Sequence, residues 1–426
     1  MTYQNRDIPN TMDNVCGIIA EYNPLHNGHI YHIRETRRIG RADFVIALIS
    51  GNFNQRGLPT IFDKWTRAKL AIQSGEVDLV LEIPYFIATS GAKYYAKGSI
   101  GILEAVGVAD TVSFGSEIGE MRNLTEVSDF LKSDDDKYKC SIDNYIASGM
   151  NFTVAREMAV SEVLGKEYGD ILKHANNVLA VEYLKNTRKL KSITVKREGV
   201  HNDDNFITEF PSASAIRKRI LEKNFDKLSK YVTEEVFSQI IKEYGGGEGD
   251  FSNFNIDVMS GKNISLPIML NYYNLLRLSI LRYGQEGLKT IFGVNEGIEN
   301  RIIKKVRLHD NYEDFAGSVK SKRYTRTEID RMMNHIIMGL KKSDVKEAFD
   351  KELWYTRPLA FNERGARLLK EAKEKSKIHI INNINREKIH SDLLYYDIMA
   401  SDIYNLIRGR DMYKNSEFVV KQYIKC

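Results

Sequence analysis

Between Val15 and about Leu221, short apolar runs alternate with stretches whose apolar positions recur every three or four residues. The runs Val15–Ala20, Phe44–Ile49, Leu79–Ile83, Thr111–Phe114 and Ser192–Lys196 are short and rich in β-branched residues, which predicts strands. The periodic stretches predict helices over Gly28–Ile39, Lys64–Ser74, Tyr94–Val106, Ile142–Ser148, Thr153–Leu164, Val178–Lys185 and Ser214–Lys223. Near-continuous apolar strands need cover on both faces, and alternating helices supply it. The pattern therefore predicts an α/β fold with a doubly wound, mostly parallel sheet and its site at the C-terminal ends of the strands.

Beyond Phe225 the pattern changes. Gly245-Gly-Gly-Glu-Gly-Asp250 is the clearest flexible stretch, and after it strand signals nearly vanish while helical periodicity runs to about Asn405, as in Ile268–Arg282, Ile298–Val306 and Thr327–Lys341. A division into a catalytic unit over residues 15–225 and an all-α C-terminal domain over 226–426 follows, with the boundary near residue 226. Residues 1–14 read as a disordered extension, and Met12 is a candidate natural start.

Composition narrows the class. Hydrophobic residues make up 42% of the 426 positions and charged residues 28%, which is ordinary for a globular chain. Ile39–Ser50 is far too short to span a bilayer and the N-terminus has no apolar core, so a cytoplasmic address is the default expectation. Cys16, Cys140 and Cys426 show no metal or disulfide spacing, and Cys16 in the first strand reads as a small core residue. The net charge of +5 is uneven, with 34 Lys and Arg against 28 Asp and Glu from Asp226 onward. A basic surplus there suits a nucleic-acid partner but does not require one.

The densest chemistry follows the first strand. His26-Asn-Gly-His29 opens the first helix, where free N–H groups and the positive end of the helix dipole favour a phosphate. Two imidazoles three residues apart face one anion, and Gly28 leaves room for a flat ring or phosphate against the backbone. As donors to charge developing on an α-phosphate, His26 and His29 are the candidate catalytic pair. Helix-capping histidines are the bland alternative, and His32 reads first as a helix-surface residue. Ser212-Ala-Ser214-Ala-Ile-Arg217 begins a second helix whose serines, N–H groups and Arg217 suit further phosphates, with a simple Ser cap as the alternative. Gly115 and Asn176 are candidates for adenine and ribose contacts, Asn176 equally for a helix cap, and Arg197 for reaching the nucleotide or a surface ion pair. In the loop Gly51–Gly57, Asn52 and Arg56 are candidate substrate contacts, Arg56 as a carboxylate anchor. Lys320-Ser-Lys322-Arg323-Tyr324-Thr-Arg326 combines cations with an aromatic ring, the pattern that holds RNA phosphates and stacks a base.

The string EYNPLHNGHIYH (Glu21–His32) resembles the signature of the tRNA-Met cytidine acetate ligase family, within the HxGH nucleotidyltransferase superfamily. SGNFNQRG, FDKWTRAKLAIQSG, SFGSE, NNVLAVEY, SASAIRK and KSKRYT extend the resemblance along most of the chain. It implies nucleotide contacts from Ile19, Ala20, Glu21, Tyr22, Asn23, Pro24, Leu25, His26, Asn27, Gly28, His29, Ile30, Tyr31 and His32. It further implies ATP with Mg²⁺, acetate, and elongator tRNA-Met acetylated at its wobble cytidine. No acidic cluster marks a magnesium site, which places that ion on phosphate oxygens. The KMSKS loop of aminoacyl-tRNA synthetases is absent, and Ala175 stands where the family typically has Pro. Two other functions remain open: an adenylyltransferase for a phosphorylated metabolite, and a non-catalytic RNA-binding protein. The large helical C-terminal part counts against the first, and the pairing of HNGH with SASAIR against the second.

Overall fold

The computed structural model describes residues 14–198, 210–245, 267–295, 297–384 and 392–425. Met12, Cys426 and most of the glycine-rich stretch after Gly245 lie outside them.

The first five strands are β1 (Val15–Ala20), β2 (Phe44–Ser50), β3 (Leu79–Ile83), β4 (Thr111–Ser116) and β5 (Lys191–Lys196). They lie side by side in the order β5-β4-β1-β2-β3, all parallel. Two-residue alternation assigns each side chain a face. On β2, Val45, Ala47 and Ile49 belong to one apolar cluster and Ile46 and Leu48 to the other, all fully buried. Between and after these strands run α1 (Asn27–Gly40), α2 (Lys64–Gln73), α3 (Tyr85–Ala88), α4 (Ala92–Val106), α5 (Met121–Lys132), α6 (Asp136–Ala147), α7 (Phe152–Val163), α8 (Lys166–Ile171), α9 (Ala175–Asn186) and α10 (Ala213–Leu221). The chain leaves β1 toward β2 and β3 on one side and returns to β4 on the other. A crevice therefore opens between the C-terminal ends of β1 and β4, the switch point where α/β sheets bind ligands.

The later chain is mostly helical, as its periodicity predicts: α11 (Glu234–Tyr244), α12 (Pro267–Lys289), α13 (Ile298–Lys305), α14 (Tyr312–Val319), α15 (Arg326–Met338), α16 (Lys342–Asp350), α17 (Glu363–Lys375) and α18 (Asp392–Ile407). It also returns to the sheet. Among its short strands β6 (Tyr355–Thr356), β7 (Pro358–Asn362), β8 (His379–Ile380) and β9 (Tyr423–Lys425), β7 pairs antiparallel with β3 and β9 parallel with β7. Two to five residues are too few to show periodicity, so these strands carried no sequence signal.

A buried ionic seam fastens this return. Lys64 Nζ lies 2.6 Å from Glu82 Oε1 and 2.9 Å from Glu417 Oε1, and Arg357 Nη1 lies 2.7 Å from Glu417 Oε2. All four side chains are almost wholly excluded from solvent. Lys64 and Arg357 hold the Glu417 carboxyl down to about 2, against the cost of its burial. No helix among the described residues is long and apolar enough to cross a membrane.

Candidate functional site

The turn after β1 forces the histidines together. Tyr22 takes a left-handed backbone conformation (φ 47°) and packs its buried ring edge-on to His29, with centroids 5.2 Å apart. His26 is the N-cap of α1: its Nδ1 accepts from the Gly28 N–H at 3.1 Å, while His29 Nδ1 accepts from the His26 N–H at 3.2 Å. The imidazoles lie 3.8 Å apart, centroid to centroid. An Nδ1 that accepts carries no proton, so each neutral ring holds its hydrogen on Nε2. Burial, with Arg197 and Arg217 adding to it, pushes His26 down to about 3, and burial, with His26 and Arg197 adding to it, pushes His29 well below its ordinary value. The turn thus presents two neutral N–H donors near neutral pH.

Gly28 has a different task from the one expected. A Cβ there would approach His26 Cε1 to 2.9 Å, so the glycine makes room for the protein's own imidazole. His32 is also corrected: it is half-buried against the sheet, its Nε2 3.1 Å from Ser113 Oγ, and burial pushes it down to about 4. Several neighbours in the expected nucleotide stretch are committed elsewhere. Leu25 and Ile30 sit in the core. Asn23 Oδ1 accepts the Ile61 N–H at 3.0 Å, and Asn27 Nδ2 donates to the Lys230 carbonyl at 2.8 Å. Leu25 and Ile30 can meet a ligand only through backbone, whereas Glu21, Asn27 and Tyr31 remain half-exposed.

The second motif joins the first. Ser212 caps α10, its Oγ accepting from Ala215 N–H at 3.1 Å. Ser214 is exposed, and Arg217 bonds both its Oγ (2.9 Å) and the Asn23 carbonyl (2.8 Å). Residues almost two hundred positions apart therefore share one corner.

At the end of β4, the stem of Arg197 covers Gly115, where an added Cβ would meet Arg197 Cγ at 3.2 Å. Arg197 Nη1 lies 3.5 Å from Asn176 Oδ1 and stays exposed. Asn176 is not the helix cap; His174 holds that position without a side-chain bond. The helix entry is tied by Glu117, a residue to which the sequence reading gave no role although it lies in SFGSE. Its carboxylate accepts from Asn176 Nδ2 (2.7 Å) and the Asn177 N–H (2.8 Å), and Asn177 Oδ1 accepts the Glu117 N–H at 2.8 Å in return. This reciprocal clasp fixes α9 to β4 even with Ala175 in place of proline.

The Gly51–Gly57 loop separates the two expected substrate residues. Asn52 is buried, its Oδ1 accepting the Lys64 N–H (2.7 Å) and its Nδ2 donating to Ser401 Oγ (3.0 Å), which makes it a joint of the seam. Arg56 is exposed, and its charge adds to the burial that lowers the proton affinity of Arg217. The Gln55 N–H donates to Glu21 Oε1 at 2.9 Å, and Gly57 packs on the Arg331 backbone, which seats the loop between β1 and α15. Arg67 was also missed: wholly buried, it donates to the carbonyls of Glu21 (2.5 Å), Ser50 (2.8 Å), Phe62 (3.2 Å) and Gly51, clamping the ends of β1 and β2. Its signal was an arginine on the apolar face of α2. Lys322 and Arg323 are exposed, and Tyr324 donates from its hydroxyl to the Asn295 carbonyl at 2.9 Å.

Sheet order, switch-point crevice and paired histidines together define a nucleotidyltransferase. The family model "HIGH Nucleotidyl Transferase" matches residues 13–417. The chain is 36% identical over 422 residues to a tRNA(Met) cytidine acetate ligase of Thermoanaerobacter sp. (strain X514), covering 96% of this chain and 98% of that one. It is 35% identical to the same-named protein of Clostridium botulinum (strain Langeland / NCTC 10281 / Type F), covering 96% and 100%. Thermotoga maritima TmcAL, solved with alpha-thio ATP bound, superposes with a TM-score of 0.84 at 29% identity over 97% of this chain and 100% of that one. This chain belongs to the tRNA(Met) cytidine acetate ligase family.

Proposed function

We propose that the chain is an ATP-dependent ligase that activates acetate as acetyl-adenylate and acetylates the wobble cytidine of elongator tRNA-Met to N4-acetylcytidine. The observation that carries the reading is the pair of Nε2–H donors at the start of α1, with Arg217 beside them. In the first step an acetate oxygen attacks the α-phosphorus of ATP and pyrophosphate leaves. Negative charge grows on the non-bridging and leaving oxygens, and neutral imidazole N–H donors stabilise it without having to lose a proton. Ser212, Ser214 and Arg217 hold the departing phosphates, and Gly115, Asn176 and Arg197 flank the nucleoside. Arg56 offers a bidentate partner for the acetate carboxylate. In the second step the cytidine N4 amine attacks the acetyl carbonyl, AMP leaves, and the amine proton is released.

The residues present fit ATP through donors and cations. No group of three or more His, Cys, Asp or Glu suited to a metal occurs among the described residues. Magnesium would arrive on the triphosphate, with phosphate oxygens as ligands, and no step is assigned to it. Residues 15–225 carry adenylation, and residues 226–426 carry the tRNA contact, with Lys322 and Arg323 on phosphates and Tyr324 against a base.

The test is ATP–pyrophosphate exchange with and without acetate in the absence of tRNA. Acetate-dependent exchange is expected. Exchange that ignores acetate but responds to a phosphorylated metabolite overturns the ligase reading in favour of an adenylyltransferase.

A further inference from the structure

On the far side of the Gly51–Gly57 loop from the histidine turn lies a cavity of about 710 Å³, bounded by the start of α4, by α15 and α16, and by the segment around Phe292. Its volume is within the range of small-ligand pockets. Lys93, Lys97, Arg331, Lys342 and Lys346 line it, against the carboxylates Glu328 and Asp350. Glu328 is already occupied as the capping-box partner of Thr325, accepting from the Thr325 N–H at 2.8 Å. Arg326 makes two ion pairs, with Glu313 and Asp330. Arg331, one turn later, has none among the described residues and lies only 3.5 Å from a backbone oxygen, that of Gln55. A half-buried guanidinium without an ion pair among the described residues, beside four lysines, favours an anion.

The cavity also has ring surfaces. Tyr94 is held edge-on by Phe349 at 4.6 Å and by Phe292 at 5.7 Å, and Tyr324 is fixed by its bond to Asn295. Fixed rings among cations are what a nucleotide needs: a face to stack on and charges for its phosphate. Position matters too. Arg331 touches the carbonyl of Gln55, whose N–H binds Glu21 beside the histidine turn, so a single loop separates cavity and crevice.

Resting on the tRNA reading above, we propose that this cavity receives an unstacked nucleotide of the RNA substrate flanking the one that is acetylated, stacking its base on Tyr94 or Tyr324 and placing its phosphate on Arg331, Lys342 and Lys346. Holding that neighbour fixes the register in which the target amine reaches the crevice.

The test uses the full chain and a labelled stem-loop RNA carrying the tRNA-Met anticodon. The Lys342→Glu/Lys346→Glu variant should raise the Kd at least tenfold. It should also make the dependence of log K on log salt shallower by about 0.7, the share of one lost phosphate contact on a single strand. Acetate-dependent ATP–pyrophosphate exchange in that variant should stay at the parent level, which also reports a folded protein. RNA with 5-iodouridine in the anticodon loop should cross-link to Tyr94 or Tyr324. An unchanged Kd and salt slope in the exchange-competent variant overturns the cavity assignment, as does lost exchange with intact RNA binding. A parent chain that fails to bind the stem-loop overturns the tRNA reading itself, a failure visible without any variant.

Discussion

The histidine turn and the ionic seam are both buried polar clusters near the C-terminal ends of strands, yet they are built in opposite ways. In the turn, partners stand two or three residues apart, Gly28 and His29 on His26, and two imidazole Nε2–H donors keep their capacity for a ligand. In the seam, partners come from residues 64, 82, 357 and 417, and their charges are consumed by one another. The difference teaches which polar burial is chemistry and which is structure: a site leaves donors unspent, and a joint satisfies them.

The comparison breaks most sharply at Glu417. Glu417→Gln would leave Lys64 and Arg357 buried without their shared anion, and breaking such a pair costs about 3–5 kcal/mol. Denaturant unfolding should show that loss while turnover per folded molecule stays at the parent level. His29→Ala should do the reverse: exchange should slow by an amount equivalent to about 2.7–4 kcal/mol in the barrier, as for a lost oxyanion donor. Its stability should fall only by the helix-capping share, about 0.5–2 kcal/mol.

The Glu117 clasp lies between these extremes, because it is a long-range joint that borders the crevice. Glu117→Ala should strip the acceptor from Asn176 and Asn177 and cost about 1–3 kcal/mol of stability. The KM for ATP should rise with it, since Asn176 and Arg197 lose their reference point; an unchanged KM would remove Asn176 from the nucleotide site.

Acid offers the most graded probe. Burial pushes His26 down to about 3 and His335, deep in α15, down to about 4. Between those values and the ordinary 6.5 the unfolded chain binds protons that the folded chain refuses, so stability falls as pH falls. Each such histidine contributes about 1.4 kcal/mol per pH unit within its window. Thermal unfolding from pH 7 to 4 should show this slope, and His335→Gln should flatten it without touching exchange. The adenylation rate itself should have no limb near pH 6.5 from the two motif histidines.

The five parallel strands and the helices between them were legible because period-2 and period-3.6 patterning is written in neighbouring residues. The HNGH and SASAIR motifs were legible as types of chemistry for the same reason. Their convergence was not, since the bond from Arg217 to the Asn23 carbonyl crosses almost two hundred positions. Nor was the inward turn of His32 onto Ser113, which a helical wheel alone leaves undecided.

By itself, then, the sequence determined the parallel core, the order of its elements, the phosphate-suited helix starts and the family resemblance, all set by local patterning and short-range capping. Tertiary structure alone decided that β7 and β9 extend the sheet, that Asn52 is a joint, that Glu117 clasps α9, and that Arg331 lines a basic, ring-walled cavity. These depend on partners distant in the chain, whose pairing is selected by burial and charge compensation once the core has formed.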